Sequence, residues 1–155
     1  MYFTDCFAAP IGFLQLTATD TALCELRLIP APDVPPETAP NAVTAETIAQ
    51  LQAYFTGRLQ RFTVPLADHG TPFQKAVWQA LREIPYGKTL SYGALAAHLG
   101  CPGAARAVGN AVGQNPILIL TPCHRIIRAD GSIGGFSAGL AAKHVLHRIE
   151  GIRTI

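Results

Sequence analysis

Cys123 and His124 are chain neighbours in the string Pro122-Cys123-His124-Arg125-Ile126, which follows a purely apolar run, Ile117 to Leu120. A cysteine attacks as its thiolate, and an unperturbed thiol has a pKa of about 8.5, so a neighbour must take or stabilise charge at neutral pH. His124 is the adjacent base, although consecutive side chains often point apart. A histidine base needs an orienting partner, usually a carboxylate. Acids are scarce in the second half of the chain, and Glu150 closes an otherwise basic helical stretch, which makes it the best candidate. The same dipeptide also fits an inert, buried cysteine. Metal binding has less to recommend it. There is no Cys-x-x-Cys pair, and Cys6, Cys24 and Cys101 lack zinc-finger spacing, so they read as core or incidental residues.

These residues need elements to place them. Phe13, Leu14 and Leu16, then Leu23, Leu26 and Leu28, mark two strands of a β-hairpin with a turn at Asp20 to Ala22. The proline-rich stretch from Pro30 to Pro40 reads as a loop. A helix is expected from about Thr44 to Leu59 with Ile48, Leu51, Phe55 and Leu59 on one face, and Arg61 to Pro65 suggests a further strand. Thr71 with Gln74 forms a capping-box signature and Pro72 suits the first helical position, so a helix with Phe73, Val77, Leu81 and Ile84 inside begins there. Ser91 is a candidate N-cap for a short helix to Leu99, with Tyr92, Leu95, Ala96 and Leu99 facing inward. After Gly100-Cys101-Pro102-Gly103, a third helix spans roughly Ala104 to Val112. The pair fits a helix-turn-helix and equally an ordinary helical hairpin. Ile117 to Leu120 reads as a buried strand or extended segment. Gly131 to Gly135 is a loop, and a last helix from about Ala138 to Glu150 has Leu140, Val145 and Ile149 as core candidates.

With 49% hydrophobic and 14% charged residues, the 155-residue chain can bury a core in one domain or two small subdomains. No run approaches the roughly 20 apolar residues of a membrane-spanning helix, and Met1 to Pro10 lacks the pattern of a secretory signal. A soluble, cytoplasmic protein with reduced cysteines is the expectation. Net charge is +2, but it is unevenly spread. Residues 1–71 hold three arginines against seven carboxylates, whereas residues 72–155 hold nine basic against three acidic side chains. Only the second half is suited to a polyanion, although asymmetry alone also fits random drift of surface charge.

The Pro122-Cys123-His124-Arg125-Ile126 motif resembles the active-site motif of the O6-alkylguanine-DNA alkyltransferases, also called methylated-DNA–protein-cysteine methyltransferases. The resemblance extends over Thr71 to Gly151: the Ser91-Tyr92 helix start, the run Ala105-Arg106-Ala107-Val108-Gly109, the pair Asn115-Pro116, the glycine loop and Glu150-Gly151. It implies an RNase H-like α/β scaffold with a small antiparallel sheet and a helix over residues 1–68. It also implies a mostly α, winged-helix-like domain with a helix-turn-helix over residues 71–155.

By that resemblance Cys123 is a stoichiometric alkyl acceptor, His124 takes its proton through a bound water, and Glu150 orients His124. Tyr92 assists rotation of the phosphate during flipping and donates a proton or a hydrogen bond to the leaving purine. Ser91, Tyr92, Ala105, Arg106 and Gly109 are expected at the DNA, with Arg106 filling the gap left by an extruded nucleotide. The carbonyls of Cys123 and Ile126 read the base, Ser137 donates to its oxygen, Val112 and Phe136 wall the pocket, and Asn115 is a structural hinge. The implied partner is double-stranded DNA carrying O6-alkylguanine, with O4-alkylthymine and cooperative binding left open, and the protein a monomer.

No cofactor is implied. Some relatives carry an N-terminal zinc site, but Thr19 and Cys24 occupy positions where a cysteine and a histidine ligand would fall, so no metal is expected. Phe136 also replaces a common tyrosine. Three alternatives are less favoured. A binding protein without chemistry lacks the acceptor that Cys123 supplies, a methyl-sensing regulator needs a further DNA-binding domain, and nothing points to the amide pocket of a cysteine hydrolase.

Overall fold

Alternating burial in two strands organises the first part of the chain. In a computed structural model describing residues 1–155, Leu14, Leu16 and Ala18 of β2 (Gly12–Ala18) are fully buried, as are Leu23 and Leu26 of β3 (Leu23–Ile29). The expected hairpin is therefore present, antiparallel, with Leu14 opposite Leu28 and Leu16 opposite Leu26, and a register shift at Thr17/Ala18. A third strand, β1 (Phe3–Ala9), pairs antiparallel with β2 and completes a sheet of order β1-β2-β3. Its half-buried residues show no clean alternation, as befits an edge, so the sequence pattern hid it.

Helix α1 (Ala42–Phe55) packs beside this sheet. It starts two residues earlier than expected because Asn41 and Thr44 cap each other, a threonine serving where the familiar box has Glu or Gln. Leu51 is buried as expected, but the rest of the buried face is Thr44, Thr47, Gln50 and Tyr54 in place of Ile48, Phe55 and Leu59. The hydroxyl of Thr47 donates to Val43 O, 2.8 Å, which satisfies it inside the core. Residues 61 to 65 form no strand. A single bridge joins Leu23 to Leu66. Residues Pro116–Leu118 complete this first unit, Met1–His69, through two hydrogen bonds to the backbone of Leu26.

The second unit, Gly70–Asn115 with Ile119–Ile155, is mostly helical. Helix α2 (Pro72–Arg82) begins at the expected capping box, Thr71 with Gln74. Val77 and Leu81 are buried and Trp78 donates from Nε1 to Ala111 O, 2.9 Å, but Phe73 is 39% exposed. Ser91 caps α3 (Tyr92–His98), and a turn through Gly100, at φ 78°, leads to α4 (Ala105–Gly113). A left-handed residue favours glycine because a Cβ would clash there. A short parallel pairing joins β4 (Leu90–Ser91) to β5 (Ile126–Ile127). Helix α5 (Leu140–Glu150) closes the unit.

Two expectations give way here. The run Ile117 to Leu120 is buried as expected, but only Ile117 pairs, in a single bridge to Leu26, and residues 118 to 120 form a turn. Ile119 sits at φ 70°, a conformation that costs a β-branched residue about 1–3 kcal/mol. Second, Leu140 is 47% exposed, and α5 buries Ala142, Lys143, Leu146, His147 and Glu150 instead of the apolar residues chosen from the pattern. Its inward face is polar because each of those polar groups finds a partner.

Thr71→Ala removes one acceptor from the start of α2, and a fall of about 1 kcal/mol in urea-unfolding stability is expected.

Candidate active site

A buried carboxylate organises the site. Glu150 is 6% exposed, and donors from two segments converge on it. His124 Nε2 approaches Oε2 at 2.5 Å. Arg125 donates from Nε to Oε1 at 2.8 Å and from Nη2 to Oε2 at 3.2 Å, a two-point fork. The backbone N–H of Gly87 donates to Oε1 at 3.0 Å. Four donors match the acceptor capacity of an ionised carboxylate, so the charge is satisfied despite its burial. Arg125 also donates from Nη1 to Ile84 O, 2.7 Å, and its guanidinium carbon stands 5.8 Å from the centre of the Tyr86 ring. Tyr86 in turn donates to Ile149 O, 3.0 Å.

Helix periodicity presents Lys143, His147 and Glu150 on one face of α5. Lys143 Nζ donates to Ile126 O (2.7 Å), Ile133 O (2.7 Å) and Gly135 O (2.8 Å), tying the glycine loop to β5. Burial lowers its pKa to about 8. His147 Nε2 lies 2.7 Å from His124 O. Sequence reading missed Arg125, Lys143, His147 and Tyr86 as parts of the site. A buried charge is invisible in an apolar pattern until its partners are known.

Protonation follows from these contacts. A carboxylate only accepts, so the shared proton of the His124–Glu150 pair sits on His124 Nε2 and leaves Nδ1 with a lone pair. Burial is the main cause holding the His124 pKa below its ordinary value, against the opposing pull of Glu150, so the ring is neutral. Nδ1 has no protein partner, which leaves it available as a base. Cys123 is 3% exposed, and burial pushes its thiol up to about 11, with Asn115 and Lys143 opposing the rise. The sulfur is thus a thiol at rest. Cys6, Cys24 and Cys101 are also free thiols.

Cys123 opens onto a cleft of about 190 Å³, lined also by Tyr92, Gly109, Val112, Gly113, Gly135, Phe136 and Ser137. The Tyr92 ring lies against Gly109 and Gly134, where an added Cβ would come within 3.6 Å of it. Burial, then the proximity of Cys123, raises the Tyr92 pKa, so its phenol keeps its proton. The turn that delivers Cys123 is pinned by Asn115, whose Nδ2 donates to Thr121 O at 2.7 Å.

The expected site residues are thus distributed unevenly. Tyr92, Gly109, Val112, Cys123, Phe136 and Ser137 share the cleft, while His124 and Glu150 lie buried behind it. Arg106 is exposed and Ala105 half-buried on α4. The Ser91 hydroxyl accepts from Ala94 N as a helix cap. Ile126 is buried, and its carbonyl already holds one Lys143 hydrogen bond.

Known proteins resemble this chain in sequence and fold. Residues 2–67 match the family model of the 6-O-methylguanine DNA methyltransferase ribonuclease-like domain, and residues 72–152 match that of its DNA binding domain. A methylated-DNA–protein-cysteine methyltransferase of Mycolicibacterium paratuberculosis is 46% identical over 146 residues, covering 92% of this chain and 88% of the relative. One from Methanosarcina acetivorans is 44% identical, covering 94% and 96%. The crystal structure of Mycobacterium tuberculosis O6-methylguanine methyltransferase superposes with a TM-score of 0.86 at 42% identity, covering 97% of this chain and 93% of that one. A second structure, of the M. tuberculosis OGT in complex with DNA, gives 0.85 at 43% identity, covering 94% and 90%.

The lowered pKa values of His124 and His147 set a sign for acid stability. Neutral in the fold and protonated when unfolded, they contribute stability that is full above the ordinary histidine value of about 6.5. That contribution is lost as pH falls from there through the lowered values, because the unfolded chain then binds more protons. Urea denaturation between pH 7.5 and pH 5 (about the range where histidine titrates) should show stability falling with acid, and His147→Gln should flatten the fall.

Proposed function

The chain belongs to the 6-O-methylguanine DNA methyltransferase family, and from that premise we propose that it repairs DNA by moving an alkyl group from O6-alkylguanine onto Cys123, once per molecule. The observation that carries this reading is the thiol itself. Cys123 lines the cleft, and the residue after it offers an unpartnered, neutral imidazole nitrogen held by a satisfied carboxylate.

The chemistry balances within the chain and its substrate. The Cys123 sulfur attacks the alkyl carbon, a carbon–sulfur bond forms and the carbon–oxygen bond of the guanine breaks. The thiol proton passes through a bridging water to His124 Nδ1, where Glu150 stabilises the imidazolium that results. The departing purine gains a proton from the Tyr92 hydroxyl, which regains one from solvent while the His124 imidazolium releases its own to solvent, so the net transfer is one proton from sulfur to guanine. The thioether is stable, and no external cofactor is called for.

Reaching an atom stacked inside a duplex requires extruding the nucleotide, at a cost of a few kcal/mol. Arg106, exposed on α4, would fill the gap and offset part of that cost. The hydroxyl of Ser137 would donate to the base oxygen, and Val112 with Phe136 would hold the ring. Carbonyl oxygens keep a second lone pair, so those of Cys123 and Ile126 can read the exocyclic amine. Asn115 keeps the acceptor turn in register with the end of α4. Ala105, Gly109 and the Ser91–Tyr92 helix start would lie along the phosphates, and a cytoplasmic setting accords with repair of DNA there.

Incubation with a duplex containing O6-methylguanine should add one methyl mass to the peptide holding Cys123 and saturate at one per protein. Modification elsewhere, or repeated turnover, would sink the mechanism. Arg106→Ala should slow repair of duplex DNA at least about tenfold, the scale of a lost few-kcal/mol compensation, while leaving reaction with free O6-benzylguanine base nearly unchanged. Equal losses on both substrates would remove its part in extrusion.

A further inference from the structure

His147 takes no part in the chemistry above, yet it is 4% exposed and lies directly behind the catalytic turn. We propose that His147 is a positioning residue: by donating from Nε2 to the main-chain oxygen of His124, it fixes the backbone of the residue whose ring Glu150 holds, and so keeps His124 Nδ1 in place for the thiol proton. This rests on the alkyl-transfer reading of the site.

The geometry argues for it in three ways. First, the donor direction is settled, because a carbonyl only accepts and the proton must sit on His147 Nε2 at 2.7 Å. Second, α5 grips His124 at its two ends, the ring Nε2 and the main-chain oxygen, six bonds apart. Glu150 takes the far end of the ring, and His147, one turn earlier on the same helix face, takes the main chain. A ring held only at its tip could pivot if its backbone drifted, and Nδ1 would move with it. Third, the surroundings of His147 set its charge. Lys143 and His144 from its own helix oppose protonation, whereas the hydrogen bond to His124 O and the Glu150 carboxylate favour it; on the turn the ionisable group it touches is His124, with Arg125 next in the chain. Burial is the leading influence, and it holds the ring neutral. The second nitrogen, Nδ1, has no protein partner, so the bond to His124 O is this ring's hydrogen bond.

The test compares His147→Leu, which removes the donor, with His147→Gln, whose amide nitrogen can replace it. Single-turnover transfer at saturating methylated duplex should be about tenfold slower in His147→Leu, the scale for leaving a buried acceptor unpaired. Duplex affinity should stay within about twofold, since the phosphate contacts are untouched. His147→Gln should recover most of the rate. In His147→Leu the acid limb of the rate–pH profile should also move up, because a loosened His124 regains water and its pKa rises toward the ordinary value. A wild-type rate and an unmoved limb in His147→Leu would overturn the proposal, as would a His147→Gln variant equally slow while binding DNA normally.

Long-range ¹H–¹⁵N spectra of the unaltered protein supply a reading that no folding defect can obscure. His124 and His147 should both appear as neutral Nε2–H tautomers, with the His147 proton slow to exchange. A rapidly exchanging His147 proton, or the opposite tautomer, would equally refute it. Should the unaltered protein fail to accept a methyl group on Cys123, the proposed function fails, and these spectra still decide the hydrogen bond.

Discussion

The carboxylate of Glu150 is the group on which the second unit depends. An unpaired charge at that depth would cost several kcal/mol, and the fold meets the cost with a fork from Arg125, a ring from His124 and a backbone N–H from Gly87. Two of the donors, His124 and Arg125, sit on the turn that carries Cys123, and the third, Gly87, sits on the loop after α2. Satisfying one carboxylate therefore fixes the end of α5, the turn that carries Cys123 and the loop after α2. The protonation state of His124 is a by-product of that arrangement, because a ring that gives Nε2–H to a carboxylate has only Nδ1 left to act as a base.

Much of this was legible in the chain. The capping box of Thr71, the N-cap of Ser91 and the alternation of β2 and β3 are local signals, set by residues close in sequence, and they placed α2, α3 and the hairpin. The resemblance carried by the Cys123 motif placed the cleft residues together. What could not be read were features whose cause lies elsewhere in the chain. The inward face of α5 has lysine, histidine and glutamate at positions that a hydrophobic rule assigns to solvent, because their partners sit 8 to 26 residues away. The apolar run before Cys123 has the composition of a strand. Its turn is imposed by Asn115 bonding to Thr121 and by the pairing of Ile117 with Leu26.

Strain and order are adjacent in that turn. Ile119 occupies a backbone conformation that its side chain disfavours, four residues before the acceptor, and it is 1% exposed. Burial of its side chain and the Asn115 bond hold it there. A strained turn between two fixed points is stiffer than a relaxed one, so Cys123 is delivered to a defined place at the base of the cleft rather than to a range of places.

The raised pKa of Cys123 has a consequence for economy of use. With a pKa of about 11, only about one sulfur in ten thousand carries its charge at neutral pH. Peroxides, disulfides and stray electrophiles all react with that charged form, so the buried thiol is close to dormant toward them. A reagent that can be spent once is thereby kept from premature oxidation. In the mechanism proposed above, it becomes reactive when a bound base fills the cleft and the imidazole of His124 draws the proton away.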